Sequence, residues 1–216
     1  MRMELNTAAG SAAGSGVTSN ATSGATSAAT SNATAASASG DAQTSTARHR
    51  VWKLGADIDT DLLAPGYVMK HGIDVIATHC LESVRPEFAS TVQRGDVLVA
   101  GPNFGIGSSR EQAAGALVTL GVAAVIAPSY GGLFFRNAFN LGLMLLTCPD
   151  ADVLEEGEAI ALQVPATEGQ VIPEILAADG RTLRCAPIPS FLVDMAQAGG
   201  LLNQLARRYG KELTHG

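Results

Sequence analysis

Cysteine, basic residues and long apolar runs are all scarce in this sequence, and each shortage excludes a class of protein. The chain has 3 cysteines in 216 residues, and they form no Cys-x-x-Cys pair: Cys80, Cys148 and Cys185. Scattered thiols suit a reducing compartment, so we expect a cytoplasmic protein with buried, unpaired cysteines. Clustered thiolates, which an iron–sulfur cluster needs, are missing, and the 4 histidines lack metal-ligand spacing. We therefore predict that this chain alone binds no metal.

Acidic residues outnumber basic ones by 20 to 14, which gives a formal net charge of -6. Proteins that bind nucleic acid usually carry a basic stripe, so this charge balance argues against such a partner. No stretch reaches the roughly 18 consecutive apolar residues that a membrane-spanning helix requires. The sequence therefore predicts association with neither nucleic acid nor membrane.

Residues 1–48 differ from the rest of the chain because they are almost entirely Ala, Ser, Thr, Gly and Asn. They show no apolar periodicity and cannot bury enough surface to offset the entropy of ordering them. We predict a disordered tail at 1–48 and one folded domain at 49–216. The tail has no continuous apolar segment, which argues against a secretory signal.

Alternation of apolar runs with Ala- and Leu-rich segments predicts an α/β domain, in which helices cover a sheet. The predicted strands are Val51–Leu54, Asp96–Ala100, Ala123–Ala127, Leu143–Leu146, Ala159–Val164 and Val171–Leu176. The predicted helices are Asp74–Leu81, Glu111–Leu120 (ended by Gly121), Leu133–Asn140 and Phe191–Tyr209, the last one interrupted at Gly199–Gly200.

The most informative segment is Gly101–Arg110, GPNFGIGSSR, which joins a predicted strand to a predicted helix. Glycines such as Gly105 and Gly107 let the backbone turn sharply and approach a ligand closely. The start of a helix offers unpaired N–H groups and the positive end of its dipole. The local pattern therefore predicts a loop whose backbone binds an anion.

Polar side chains complete this loop. Ser108 or Ser109 can cap the following helix, and Arg110 carries a fork of donors shaped for a carboxylate or a phosphate. The segment is not a G-x-G-x-x-G dinucleotide fingerprint, because Arg110 occupies the third glycine position. It is also neither a phosphate-binding P-loop nor a G-x-S-x-G nucleophile elbow. A plain helix cap and an anion site containing a serine hydroxyl both fit the local pattern.

Three segments, in order, resemble the swivel-domain signature of the aconitase superfamily: Asp57–Pro65 (DIDTDLLAP), Asn103–Ala113 (NFGIGSSREQA) and Ala124–Leu143 (AVIAPSYGGLFFRNAFNLGL). Within the superfamily, the sequence is similar to the small subunits of 3-isopropylmalate dehydratase. The resemblance covers Val51–Leu146, and more loosely the rest of the predicted domain. It implies a swivelling β/β/α domain built around a partly closed barrel. The activity implied is the isomerisation of 2- and 3-isopropylmalate, or a close alkyl-malate, by dehydration and rehydration.

The resemblance also implies roles for individual residues. It makes Ser108 the catalytic base, Ser109 a supporting hydrogen-bond donor and Arg110 the ligand of a substrate carboxylate. Asp61 matches an active-site acid of the family, although an Asx-type turn is an equally simple explanation for an aspartate at that point. Gln112 stands where the family commonly has histidine, and glutamine forms hydrogen bonds without titrating.

The family's [4Fe–4S] cluster is held by a large subunit or a fused domain. The resemblance therefore implies that this chain is active only with a cluster-bearing large subunit, as a heterodimer or heterotetramer. The implied substrate is a small dicarboxylate that binds where the two subunits meet.

Gly66–Lys70, which follows the Asp-Thr-Asp motif, corresponds to the family's loop that contacts the variable substituent of the substrate. Relatives that act on tricarboxylates place an arginine there, and the matching residue is Met69, whose apolar side chain suits a branched alkyl group. The adjacent Lys70 would instead favour a substituent that carries a carboxylate. Packing in the core is another explanation for Val68 and Met69. Small subunits of dimethylmalate, citraconate or homoaconitate hydratases stay as alternatives, and so does a non-catalytic anion-binding module.

Overall fold

The computed structural model of the chain describes residues 47–210, so nearly all of the tail predicted at 1–48 lies outside the described residues. In this part of the chain the strands are β1 (Arg48–Lys53), β2 (Val97–Val99), β3 (Ala124–Ala127), β4 (Met144–Thr147), β5 (Ala159–Gln163), β6 (Gln170–Val171), β7 (Glu174–Leu176), β8 (Thr182–Arg184) and β9 (Ile188–Pro189). The helices are α1 (Thr60–Leu63), α2 (Ile73–Thr78), α3 (Phe88–Thr91), α4 (Glu111–Leu120), α5 (Gly132–Asn140), α6 (Ser190–Gln197) and α7 (Leu201–Gly210).

A 7-stranded sheet with the order β4-β3-β2-β1-β5-β7-β8 organises the domain. The β4-β3-β2-β1 half is parallel. Its strands β2 and β3 are buried along their whole length, as expected for parallel strands with both faces covered. Parallel neighbours need crossover connections, and α4 and α5 supply those between β2 and β3 and between β3 and β4. The predicted α/β class is confirmed.

The other half of the sheet is antiparallel, and here the sequence was less informative. The strand predicted at Val171–Leu176 is wrong as one element, because it divides on either side of Pro173. Its first part, β6, pairs with β9 in a separate 2-stranded sheet, while its second part, β7, pairs with β5 and β8. Proline has no N–H to donate, so it interrupts a ladder at that point.

Helix boundaries followed local signals closely. The helix predicted at Glu111–Leu120 is confirmed, and Gly121 ends it in the left-handed conformation at φ 81°. The predicted interruption at Gly199–Gly200 separates α6 from α7. At that turn the backbones approach so closely that a Cβ on Gly142 would lie 2.6 Å from the carbonyl carbon of Gly199.

A buried carboxylate aligns the first two parallel strands. Asp96, which precedes β2, is 4% exposed, and its Oδ2 accepts hydrogen bonds from Trp52 Nε1 at 2.8 Å and Arg50 Nε at 3.1 Å on β1. Burial raises the pKa of Asp96, but the bonds from Arg50, the Gln93 backbone and Trp52 outweigh it, so the pKa lies below its usual value. The ionised side chain therefore joins β1 to the amino end of β2.

Candidate active site

Three loops meet at the carboxyl edge of the parallel strands, where open α/β sheets usually bind ligands. Loop A (residues 54–59) follows β1, loop B (100–110) follows β2, and loop C (128–131) follows β3. All the segments that carried the family resemblance contribute to this edge. No helix in residues 47–210 is long and apolar enough to cross a membrane.

Backbone hydrogen bonds tie these loops together. Loop B bonds to loop A through Asp57 N to Pro102 O (2.9 Å) and Gly105 N to Ile58 O (2.6 Å). It bonds to loop C through Phe104 N to Ser129 O (3.0 Å). Short bonds in both directions mean that loop B has little freedom to move by itself.

Two residues in these loops have strained backbones. Asp57 (φ 57°) and Asn103 (φ 65°) are non-glycine residues in the left-handed region, which Asn and Asp tolerate better than most residues. Asn103 Nδ2 donates to Asp57 Oδ1 at 2.9 Å, and Asn103 N donates to Ser129 Oγ at 2.9 Å. These side chains add a polar link between the three loops, and sequence reasoning missed it.

The loop glycines have different surroundings. Gly105 is buried with φ 74°, and a Cβ there would lie 2.2 Å from Cγ of Phe134. Gly107 is exposed with φ 101°, and a Cβ there would lie 3.2 Å from the buried Thr60 hydroxyl. Gly105 thus brings the loop onto the core, and Gly107 turns the backbone outward just before the serines.

Ser108 and Ser109 are both exposed at the end of loop B, immediately before α4. The N-cap residue of α4 is Arg110, in an extended conformation and without a side-chain capping bond, so the predicted capping by either serine is wrong. The backbone N–H of Arg110 instead bonds to the Ser108 carbonyl at 2.8 Å. Both hydroxyls therefore lie at the positive end of a 10-residue helix without serving as its cap.

Arg110 is held by the segment after β1. Its Nη1 donates to the Asp61 carboxylate and, at 3.0 Å, to the Ala64 carbonyl. A local capping role could have explained Asp61, but Asp59 is the residue that caps α1. Its side chain accepts a hydrogen bond from Leu62 N at 2.8 Å. The Arg110 side chain is only 22% exposed, so its guanidinium is fixed in orientation. Sequence reasoning selected Asp61 and Arg110 separately, and the structure brings them into contact.

The 66–70 loop begins against this ion pair. A Cβ on Gly66 would lie 3.7 Å from Asp61 Oδ1 and 3.9 Å from Arg110 Nη2. Val68 is buried, Met69 is half-buried and packs against the core, and Lys70 is exposed. The loop also exposes 63% of Tyr67, which sequence reasoning did not select. The sequence signal that could have selected it is an aromatic residue in the short segment between Pro65 and Gly72.

The cysteines are not arranged as ligands of an iron–sulfur cluster. All 3 are buried free thiols. Hydrogen bonding with Cys185 lowers the pKa of Cys148, whereas burial raises the pKa of Cys80. Across residues 47–210, no group of three or more His, Cys, Asp or Glu side chains is arranged to hold a metal ion.

Comparisons with known proteins identify the family of the chain. Residues 73–151 match the aconitase C-terminal domain family. The 3-isopropylmalate dehydratase small subunit 1 of Archaeoglobus fulgidus is 44% identical over 154 residues, which is 71% of this chain and 92% of that protein. The methanogen homoaconitase small subunit of Methanothermobacter thermautotrophicus is 42% identical over 158 residues, 72% of this chain and 88% of that protein.

A crystal structure of 3-isopropylmalate dehydratase (LeuD) from Methanocaldococcus jannaschii has the same fold, with a TM-score of 0.66 and 33% sequence identity. The match covers 78% of this chain and 98% of the chain in that structure. The parallel strands and the serine loop at their carboxyl edge thus define a domain of the aconitase C-terminal type. More narrowly, the chain belongs to the small-subunit family of 3-isopropylmalate dehydratase.

Proposed function

We propose that the chain is the small subunit of a hydro-lyase that interconverts 2- and 3-isopropylmalate, or a close alkyl-malate, by dehydration and rehydration. The exposed Ser108 hydroxyl and the fixed Arg110 guanidinium, both at the start of α4, carry this proposal. Family membership supports the reaction class, and the two side chains are the groups that such a reaction needs from this subunit.

Arg110 would bind a substrate carboxylate. Asp61 and Ala64 engage Nη1, and neither Nε nor Nη2 has a hydrogen-bond partner within residues 47–210. Those two nitrogens donate along one edge of the guanidinium, which matches the spacing of two carboxylate oxygens. In this proposal Asp61 is the active-site acid that orients Arg110.

Ser108 would act as the base. It would take the proton from the carbon next to a substrate carboxylate while the hydroxyl leaves the neighbouring carbon, giving an unsaturated diacid and water. Adding the proton and the hydroxyl back to the unsaturated diacid, each on the carbon that the other had left, gives the isomer. A serine alkoxide needs strong stabilisation, and the α4 N-terminus and the Arg110 charge would supply it. Ser109 would donate a supporting hydrogen bond, and the backbone from Gly105 to Gly107 shapes the anion-binding loop.

The departing hydroxyl requires a Lewis acid, which a [4Fe–4S] cluster supplies when bound. Because the thiols of this chain do not fit a cluster, we propose that a large subunit holds it, in a heterodimer or heterotetramer. The relatives named as small subunits support such a partner. The scattered thiols are consistent with assembly in the cytoplasm.

Partner dependence is directly testable. The purified chain is expected to be colourless, free of iron and inactive on 2-isopropylmalate, because it lacks a ligand set for the cluster. Adding an anaerobically reconstituted large subunit should produce turnover, which can be followed by the ultraviolet absorbance of the unsaturated intermediate. Turnover by the chain alone, together with an iron–sulfur spectrum, would contradict the proposal.

Met69 and Lys70 test the identity of the substrate. If Met69 contacts the alkyl group, Met69→Arg should lower kcat/KM for isopropylmalate by about 10-fold or more, since burying an unpaired charge costs at least 1–3 kcal/mol. The same change should favour homoaconitate, whose extra carboxylate can pair with the arginine. The half-burial of Met69 makes it suitable for packing against a substituent.

Lys70→Ala is the matched comparison. If Lys70 contacts the substrate instead, Lys70→Ala lowers kcat/KM on the native substrate while Met69→Arg has little effect. We would measure kcat/KM for isopropylmalate, dimethylmalate and homoaconitate with the wild type and both variants. Equal specificity ratios in all three proteins would remove the branched-alkyl assignment. Homoaconitate is the second candidate substrate, because a homoaconitase small subunit is 42% identical to this chain.

A further inference from the structure

A buried hydroxyl without a hydrogen-bond partner lies against loop B. Thr60, the first residue of α1, is only 1% exposed. Its Oγ1 is the one buried side-chain oxygen or nitrogen in residues 47–210 that has no hydrogen-bond partner. Proteins hydrogen-bond nearly all of their buried polar groups, and leaving one unpaired lowers stability. The exception at Thr60 therefore needs a physical explanation.

Neither the shape of the Thr60 side chain nor helix capping explains the hydroxyl. Valine has the same branched shape and carries no polar atom that loses its water on burial. The N-cap residue of α1 is Asp59, whose side chain accepts from Leu62 N, so capping does not require Thr60. The hydroxyl is thus without a function in the chain alone.

The backbone of loop B is the nearest element that the hydroxyl can bond to. Thr60 N donates to the Ile106 carbonyl at 2.9 Å, which holds the two segments side by side. A Cβ on Gly107 would lie 3.2 Å from Thr60 Oγ1. Because Gly107 has no side chain, its backbone faces the hydroxyl directly. The peptide that joins Gly107 to Ser108 is therefore close to Thr60 Oγ1.

This peptide can rotate without disturbing the rest of loop B. The backbone bonds that join loop B to loops A and C, and to Thr60, all involve residues 102–106. Within the described part of the chain, no backbone bond joins residues 107–109 to either of those loops. Gly107 has φ 101°, and glycine can adopt other backbone conformations at little steric cost. Loop B is thus fixed up to Ile106, and its serine-bearing end is not.

We infer that Thr60 is a positioning residue for Ser108: in the substrate-bound enzyme, its hydroxyl donates to the Gly107 carbonyl and so fixes the Gly107–Ser108 peptide. This inference rests on the proposed function. The C=O and N–H of a trans peptide point in opposite directions, so a carbonyl turned inward to Thr60 turns the Ser108 N–H outward. That N–H then faces the negative charge that develops in the reaction, where a preorganised donor is most effective.

Thr60→Val separates this role from a structural one. In the free chain it removes an unpaired hydroxyl, so the melting temperature should be unchanged or raised by a few degrees. In the enzyme assembled with the large subunit, kcat for isopropylmalate should fall about 10-fold or more, because small misplacements of reacting groups are costly. KM should change little, since Arg110 still binds the carboxylate. A residue that only packs in the core would not lower kcat while leaving stability intact.

Thr60→Ser is the matched comparison, because it keeps the hydroxyl and loses only the methyl group. It should retain most of the wild-type kcat. Thr60→Ala removes the hydroxyl without an added methyl group against loop B, and it should lower kcat as Thr60→Val does. Thr119→Val makes the same hydroxyl-to-methyl exchange at an exposed position near the far end of α4, and its kcat and KM should equal those of the wild type.

A normal kcat in Thr60→Val overturns the inference. So does a lower melting temperature of the free Thr60→Val chain, because the hydroxyl would then already have a partner there. A raised KM with normal kcat also overturns it, since Thr60 would then act on carboxylate binding through its neighbour Asp61. If Ser108→Ala is inactive while Thr60→Val is normal, only this inference fails; an active Ser108→Ala enzyme removes the proposed function itself.

Discussion

Replacing Ser108 with alanine is expected to lower kcat of the assembled enzyme by about 10²–10⁴-fold, the usual contribution of a catalytic proton-transfer group. The fold should be unaffected, because the side chain is exposed and Arg110, not Ser108, is the N-cap residue of α4. Substrate affinity should also persist, since the carboxylate contacts belong to Arg110. A large loss of rate without a loss of stability or binding is the signature of a base.

Ser109→Ala is the matched control for this experiment. Ser109 is equally exposed and also precedes α4, but it is assigned a supporting hydrogen bond, so its loss should reduce kcat much less. We would measure kcat, exchange of the substrate proton with solvent, binding by calorimetry and the melting temperature. Unchanged turnover in Ser108→Ala would leave the non-catalytic anion-binding module as the better explanation of the loop.

Gly105→Ala is expected to cause the largest loss of stability. At φ 74° an L-residue pays roughly 1–2 kcal/mol of backbone strain. In addition, the new Cβ would lie 2.2 Å from Cγ and 2.6 Å from Cβ of Phe134, a fully buried ring. Relieving that overlap requires moving the core, and overpacking typically costs a further 1–3 kcal/mol or more. The combined loss should be about 3 kcal/mol or greater.

Gly180→Ala separates the two contributions. Gly180 has φ 88°, but nothing lies within 4 Å of the position its Cβ would occupy. It should therefore lose only the strain energy, about 1–2 kcal/mol. Urea unfolding of both variants measures the difference. Equal losses would show that Phe134 can move aside and that steric contact does not fix the loop.

The parallel half of the sheet could be predicted from sequence because local signals and tertiary demands agree there. Short apolar runs such as the one at β3 are typical of buried central strands. Gly121 predicts the end of α4, because glycine readily adopts the left-handed conformation that ends many helices. The strands β8 and β9 were missed because each is short and forms only through partners distant in sequence. Their residues have no pattern that distinguishes them from a loop.

The candidate site was only partly predictable for a related reason. Arg110 and Asp61 are 49 positions apart, and nothing local indicates that they meet. The local pattern allowed either serine to cap α4, but the residue at the N-cap position is Arg110, which makes no side-chain capping bond.

The bonding of loop B to loops A and C has a mechanical consequence. Ser108 cannot travel far towards a bound substrate by bending its own loop, since that would break backbone bonds to Ile58 and Ser129 at once. In the proposed complex, any closure over the substrate would therefore move loops A, B and C together as one unit, instead of bending loop B alone.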